Sequence, residues 1–371
     1  MKEALLVLSD GMVFDCASFG HNTEAIGEVV FNTSMTGYQE ILTDASYKGQ
    51  FVVMTYPQIG NYGINTEDDE SADGPKLSGF IVKEYIEDYS NWRASSSLSE
   101  YLNLYGIPAV CGLDTRALVR HLRDHGSQMG IISTSDLDPV SLHNKVKANI
   151  GINDIDLVDL VTTKENYSWD QGLKWDQGLS NLNTKTLKVV VYDFGVKYNI
   201  LRHLKKSGFN IIVVPANTPA EAVLELEPDG IFLSNGPGNP ESVKYGIENV
   251  KRLIGKKPIF GICMGHQILG LALGASVYKL KFGHHGGNHP VEDKTTQKIE
   301  ITSQNHNYCV DISSLRGSVE LTHKNLYDGT PEGMKHVELP IFSVQYHPEA
   351  GPGPNDSIYL FNRFKDVINN F

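Results

Sequence analysis

In the second half of the chain, short unbroken apolar runs alternate with amphipathic stretches. Leu187-Lys188-Val189-Val190-Val191-Tyr192-Asp193 reads as a strand. Residues 198–206 carry apolar side chains at helical spacing and stop at Gly208. A strand over 210–214, a helix over 219–226 with Pro219 at its start, a strand over 230–234 and a helix over 242–254 follow. Near-continuous apolar strands separated by helices predict a doubly wound, mostly parallel α/β sheet covered on both faces. The ligand site of such a sheet lies at the carboxyl ends of its strands.

The first half has a different rhythm. Short strand-like runs such as Phe51-Val52-Val53-Met54-Thr55 sit between turns rich in Gly, Asn and Asp, and residues 116–122 read as a helix. This pattern predicts a separate, smaller α+β domain over 1–150, a linker over 151–186 and the sheet domain over 187–371. The linker holds Trp169-Asp170-Gln171-Gly172-Leu173, repeated at once as Trp175-Asp176-Gln177-Gly178-Leu179. Two copies are too few for a repeat fold and read as a local duplication.

The sheet pattern gives one stretch chemical meaning. Pro258-Ile259-Phe260 runs into Gly261-Ile262-Cys263-Met264-Gly265-His266-Gln267, and an apolar helical pattern follows. This is the G-x-nucleophile-x-G elbow with Cys in place of Ser. A sharp strand-to-helix turn exposes the side chain of the central residue, and the helix N-terminus favours a thiolate. A lone cysteine is most often a buried core residue; the flanking glycines and the strand–turn–helix context favour the nucleophile.

A cysteine nucleophile needs a base and a group that orients the base. His266 follows the elbow, but it falls inside the succeeding helix, where its ring is poorly aimed at Cys263. In Phe342-Ser343-Val344-Gln345-Tyr346-His347-Pro348-Glu349 a strand ends in His-Pro-Glu. Residues two apart in extended chain share a face, so Glu349 can hold the ring of His347. The oxyanion donors expected are the Met264 N–H and an N–H of Asn235-Gly236-Pro237-Gly238, namely Gly236 or Gly238, since Pro237 has none.

These motifs match, in order and spacing, those of the triad (class I) glutamine amidotransferases, which the C-terminal domain resembles. Three further stretches, 31–44 (Phe31 to Asp44), Asp114-Thr115-Arg116 and Phe282-Gly283-His284-His285-Gly286-Gly287-Asn288-His289-Pro290, resemble the small-subunit family of carbamoyl-phosphate synthetases. The resemblance covers essentially the whole chain. It implies catalytic Cys263, His347 and Glu349, with glutamine contacts from Ser46, Gly236, Gly238, Met264, Gln267, Asn305, Asn307 and Tyr308. Ser46 would then reach the site from the N-terminal domain. The resemblance also implies a large synthetase subunit, in a heterodimer or higher oligomer, that takes ammonia from this chain and makes carbamoyl phosphate for arginine or pyrimidine synthesis.

Composition narrows the alternatives. The chain has 371 residues, 40% hydrophobic, with 32 basic and 44 acidic side chains and a net charge of −12. No basic run or basic-aromatic patch favours nucleic acid as a partner. The four cysteines include no C-x-x-C pair, which points to a reducing compartment and a cytoplasmic protein. The apolar N-terminal run is too short for a signal-peptide core. The apolar stretch 259–278 is about long enough for a bilayer, but His266, Gln267 and its glycines favour a buried strand and helix, so no membrane is expected.

His284, His285 and His289 lack the spacing of a zinc site, and no metal is expected. There is no G-x-x-x-x-G-K-[ST] and no G-x-G-x-x-G, so MgATP and bicarbonate are expected to be used by the partner and no cofactor by this chain. Two other functions fit the elbow: a free-standing thiol γ-glutamyl hydrolase, and a module that binds glutamine without turnover.

Overall fold

Alternate residues of the first strand, β1 (Lys2–Leu8), enter two different apolar clusters. Ala4, Leu6 and Leu8 join one, Leu5 and Val7 the other, as the two-residue period of a strand covered on both sides requires. The computed structural model describes residues 1–149, 151–172, 186–315 and 317–371. They form two compact units: Met1–Asp154 with Lys281–Gly286, and Ile155–Leu280 with Gly287–Phe371.

In the first unit, β1 is followed by β2 (Val13–Ser18), β3 (Glu24–Asn32), β4 (Gln50–Met54), the short β5 (Gln58–Ile59), β6 (Gly79–Ile81), the short β7 (Glu84–Tyr85), β8 (Ala109–Cys111) and β9 (Gln128–Ser133). Seven of these close into a barrel in the order β1-β2-β8-β6-β4-β3-β9. The neighbours β3, β4, β6 and β8 run parallel, and the remaining pairs are antiparallel. Leu6, Val29, Phe51, Ile81, Val110 and Ile132, from six different strands, meet in one cluster that fills the barrel.

Four helices accompany the barrel: α1 (Tyr38–Thr43), α2 (Leu98–Leu104), α3 (Thr115–His125) and α4 (Pro139–Lys147). Leu118 and Leu122 of α3 complete the barrel cluster, and Leu142 and Val146 of α4 pack with Leu5, Val7 and Ile131. Asp114 starts α3 by accepting a hydrogen bond from the Ala117 N–H. The α+β content agrees with expectation. Barrel closure was not legible in the sequence, because it depends on pairing between strands far apart along the chain.

The second unit holds a sheet in the order β10 (Tyr167–Trp169), β12 (Phe209–Pro215), β11 (Leu187–Asp193), β13 (Gly230–Leu233), β14 (Ile259–Ile262), β19 (Ile341–Val344), β18 (Pro331–His336), β17 (Val319–Asn325), β15 (Ser276–Asp293) and β16 (Lys298–Asp311). The five strands from β12 to β19 in that order are parallel. Its helices are α5 (Tyr198–Lys206), α6 (Ala220–Glu225), α7 (Lys244–Leu253), α8 (Met264–Leu273) and α9 (Tyr359–Asn369).

The parallel strands are covered on both faces, as the sequence led one to expect. Val190 and Tyr192 of β11 pack with Val250 of α7 and Ile268 of α8. Val189 and Val191 pack with Leu201 of α5 and Phe361 of α9. The antiparallel extension beyond β19 was not anticipated. Its long strand β15 mixes exposed and buried residues without a steady period, so no pattern marks it as a strand. Residues Lys281–Gly286, within β15, group with the first unit.

The stretch expected to be a linker is partly built into the second unit. Tyr167–Trp169 pair antiparallel with β12, and buried Trp169 packs against Tyr198. The apolar Tyr167 and Trp169 give this edge strand its hold, a signal masked by the polar residues around it. The second copy of the duplicated pentapeptide lies outside the described residues. Among the described residues, no helix is long and apolar enough to cross a membrane.

Candidate active site

The site grows from two adjacent strand ends. β14 and β19 lie side by side in parallel register, with Ile262 opposite Val344. Cys263 leaves β14 with φ 52° and ψ −104°, and its N–H donates to the Val344 carbonyl at 2.9 Å. A positive φ at a non-glycine residue is strained, and here it forms the turn of the elbow. The helix α8 begins at the next residue. A Cβ on Gly265 would lie 2.2 Å from the Leu233 carbonyl oxygen, and one on Gly261 would lie 2.8 Å from Gly265 backbone. Both flanking glycines are therefore needed for close backbone approach.

His347 follows β19 by three residues, and its N–H donates to the Ser303 carbonyl at 2.9 Å. Its Nδ1 lies 2.6 Å from Glu349 Oε1. Cys263, His347 and Glu349 are all buried. Burial works against a charge on His347, but the Glu349 carboxylate and then Cys263 outweigh it and raise the pKa of the ring. For Glu349, burial opposes the charge, yet the Lys197 ammonium and the imidazole of His347 together hold its carboxyl below the ordinary carboxylate range. The result is a ring with a strong affinity for a proton, facing the cysteine and fixed from behind by an ionised carboxylate.

His266 is placed differently. It is fully buried in α8, and its Nδ1 lies 2.8 Å from Ser343 Oγ. Burial, with a smaller contribution from His323, pushes its pKa down to about 3. It is a neutral structural residue turned toward β19.

The loop after β13 borders the elbow, since the Gly265 N–H donates to the Ser234 carbonyl at 2.9 Å. Gly236 has no room for a side chain: a Cβ there would lie 2.2 Å from the Phe194 carbonyl oxygen. Gly238 has φ +84°, and Asn235, just before Gly236, is fully buried. As the first residue of α8, Met264 has no intrahelical acceptor for its N–H, which is free to serve as a donor to a bound anion.

β16 brings further candidate residues to the elbow. The Cys263 thiol faces the Asn305 carbonyl at 3.5 Å, and Gln267 Nε2 donates to the Tyr308 carbonyl at 2.9 Å. Asn305 and Tyr308 are buried, and Asn307 between them is half-buried. Ser46 belongs to the first unit, where it is buried on the helical turn Ala45–Tyr47, and its N–H donates to Asp44 Oδ1. His284 and His285 group with the first unit and His289 with the second.

Two residues escaped the sequence reading. Lys197 is buried, and its Nζ lies 3.0 Å from Glu349 Oε1 and also donates to the Ala350 carbonyl. The Lys197 N–H donates to Asn235 Oδ1 at 3.0 Å, which ties the loop after β13 to Glu349. Gln345 is fully buried and accepts from Gln267 Nε2 at 3.2 Å. The one available signal for Lys197 was its place just after β11, at the carboxyl edge where such sheets bind ligands.

Residues 190–367 match the family of class-I glutamine amidotransferases, and residues 6–132 match the CPSase domain of the carbamoyl-phosphate synthase small chain. The second unit, with its cysteine elbow at the carboxyl edge of a doubly wound sheet, is thus a class-I glutamine amidotransferase domain. The chain is 57% identical to a carbamoyl phosphate synthase small chain of Syntrophotalea carbinolica, over 99% of this chain and 98% of the relative. It is 56% identical to that of Aquifex aeolicus over 98% of each chain. With the chloroplastic small chain of Arabidopsis thaliana it shares 48% identity, over 98% of this chain and 85% of the relative. The chain belongs to the carbamoyl phosphate synthase small chain family. Neither a free-standing γ-glutamyl hydrolase nor a non-catalytic binding module finds support in these relatives.

Proposed function

We propose that this chain hydrolyses the side-chain amide of glutamine at Cys263 and supplies the ammonia to a large synthetase chain. The observation that carries the reading is the arrangement of His347, facing Cys263 on one side and bonded to Glu349 at 2.6 Å on the other. His347 takes the thiol proton, and the sulfur attacks the amide carbon of glutamine. The carbonyl oxygen becomes an oxyanion held by the Met264 N–H and the Gly236 loop. His347 returns the proton to the leaving nitrogen, ammonia departs, and a γ-glutamyl thioester remains on Cys263. Water, losing a proton to the same ring, attacks the thioester and releases glutamate.

Gly238, Gln267, Asn305, Asn307, Tyr308 and Ser46 are the proposed contacts for glutamine. ATP, magnesium and bicarbonate belong to the partner in this reading, because the chain carries neither nucleotide-binding glycine motif. The pair would form a heterodimer making carbamoyl phosphate, a precursor for arginine or pyrimidines.

The test is to assay Cys263→Ser in the reconstituted pair with glutamine and with ammonia as nitrogen donor. Glutamine-dependent synthesis should disappear while ammonia-dependent synthesis persists. Loss of both in an assembled complex would refute the division of labour.

A further inference from the structure

The first unit carries a cavity of about 690 Å³ that takes no part in the chemistry above. Lys83, Arg116, Arg120 and Arg123 line it, with Val119 as part of its apolar wall. All four cations are exposed. Arg123 pairs with the neighbouring Asp124 at 2.8 Å, whereas Arg116, Arg120 and Lys83 have no ion-pair partner among the described residues. The nearby Asp114 is occupied in capping α3.

This concentration of cations stands out in a chain whose overall net charge is −12. Residues 116, 120 and 123 stand at i, i+4 and i+7, on the face of α3 opposite Leu118 and Leu122. Like charges so spaced weaken a helix unless something neutralises them. A site for a small anion would draw its donors together and bury them; these cations are exposed and spread over about 10 Å of helix. Arg116 and Arg120 are separated by about 6 Å along the axis, at 1.5 Å per residue. Alternate side chains of an extended segment repeat every 6.8 Å or so. Acidic residues at every second position of such a segment would meet successive arginines of α3, and guanidinium suits carboxylate.

We propose that this cavity receives an extended acidic segment of the large synthetase chain. The inference rests on the reading that this chain works beside such a partner. The repulsion between this acidic chain and other acidic surfaces is locally reversed at α3, which orients the encounter and fixes its register.

The experiment measures the affinity of the full chain for the large chain of the same organism, at several salt concentrations. Wild type is compared with Arg116→Glu/Arg120→Glu and with the milder Arg116→Gln/Arg120→Gln. The reversal should weaken the complex at least about tenfold and flatten its salt dependence, with the neutral variant intermediate. Glutaminase turnover of the free chain and its melting temperature should not change. Wild-type affinity in both variants would overturn the proposal and leave the partnership standing. Failure of wild type to bind the large chain would overturn the partnership and the proposal together. Inorganic pyrophosphate is titrated as well. Pyrophosphate binding that is lost in the variants, with binding of the large chain unaffected, would make the cavity a small-anion site and overturn the proposal.

Discussion

Lys197 Nζ lies 3.0 Å from Glu349 Oε1, the same oxygen that holds His347 Nδ1 at 2.6 Å. One carboxylate oxygen thus serves two cation-forming partners in a buried setting. Glu349 Oε2 makes no hydrogen bond among the described residues, so these two contacts carry most of the compensation for its burial, with a smaller part from the Glu349 backbone N–H. Without Lys197, the buried carboxylate would have His347 as its nearest cation-forming partner.

Lys197→Met should therefore be costly in two ways. Removing one partner of a buried ion pair typically costs about 3–5 kcal/mol, which thermal or denaturant unfolding can measure. The kinetic effect has a definite sign. Glu349 keeps its lowered pKa largely through Lys197, so in the variant it protonates at higher pH. A protonated Glu349 no longer stabilises imidazolium, and the acid limb of kcat should move up in pH. A structural role alone would lower the melting temperature and leave the pH profile in place.

The same pair predicts how stability varies with pH. Glu349 has its pKa lowered by folding, so its contribution is present above the ordinary carboxylate range and is lost as pH falls through the lowered value. His347 has its pKa raised, so its contribution is complete below the ordinary imidazole value and is lost as pH rises through the raised value. The stabilising window lies between them. The melting-temperature gap between wild type and His347→Gln should be widest near pH 6 or so, below the ordinary imidazole pKa, and narrow as the solution becomes alkaline. A gap that widens with rising pH would contradict the assignment.

The cysteine elbow was legible because its constraints are local. A turn that forces Cys263 to φ 52° and brings Gly265 against Leu233 needs glycines at fixed offsets, and those stand in the sequence. His347 and Glu349 were legible because residues two apart in extended chain share a face. Lys197 was not: its contact with Glu349 spans 152 positions and is created by packing of the α5 start against the end of β19. The parallel strands announced themselves by unbroken apolar runs. The barrel and the antiparallel extension did not, because closure depends on pairing between distant strands and the long β15 mixes exposed and buried residues without a simple period.

His347 and His266 should differ sharply in their effect on turnover. His347→Asn should reduce glutaminase turnover by about 10²–10⁴-fold, the usual loss on removing a general base. His266→Asn removes a ring bonded to Ser343 in the core, far less suited to gaining a proton. It should lower the melting temperature and leave single-turnover chemistry within a few-fold of wild type. Should His266→Asn prove the slower enzyme at a temperature where both variants are folded, the base has been misassigned.

The neighbours Met264 and Gly265 give the last prediction, because their side chains are under opposite demands. The proposed role of Met264 uses only its backbone N–H, at the first position of α8 where no helix carbonyl can accept it. Met264→Leu keeps that N–H and a similar volume, so turnover should stay within a few-fold, whereas losing an oxyanion donor costs roughly 10²–10³-fold. Gly265→Ala adds a single carbon, but it would lie 2.2 Å from the Leu233 carbonyl oxygen. Backbone at both ends of that contact must move, and overpacking of this kind costs about 1–3 kcal/mol or more. The shift would also displace the Met264 N–H. Gly265→Ala should therefore lose both stability and glutaminase rate, measured by denaturant unfolding and steady-state turnover on the same preparation. A fully active, fully stable Gly265→Ala would show that the elbow does not need its close backbone approach, and a 10²-fold loss in a well-folded Met264→Leu would show that the methionine side chain does more than fill space.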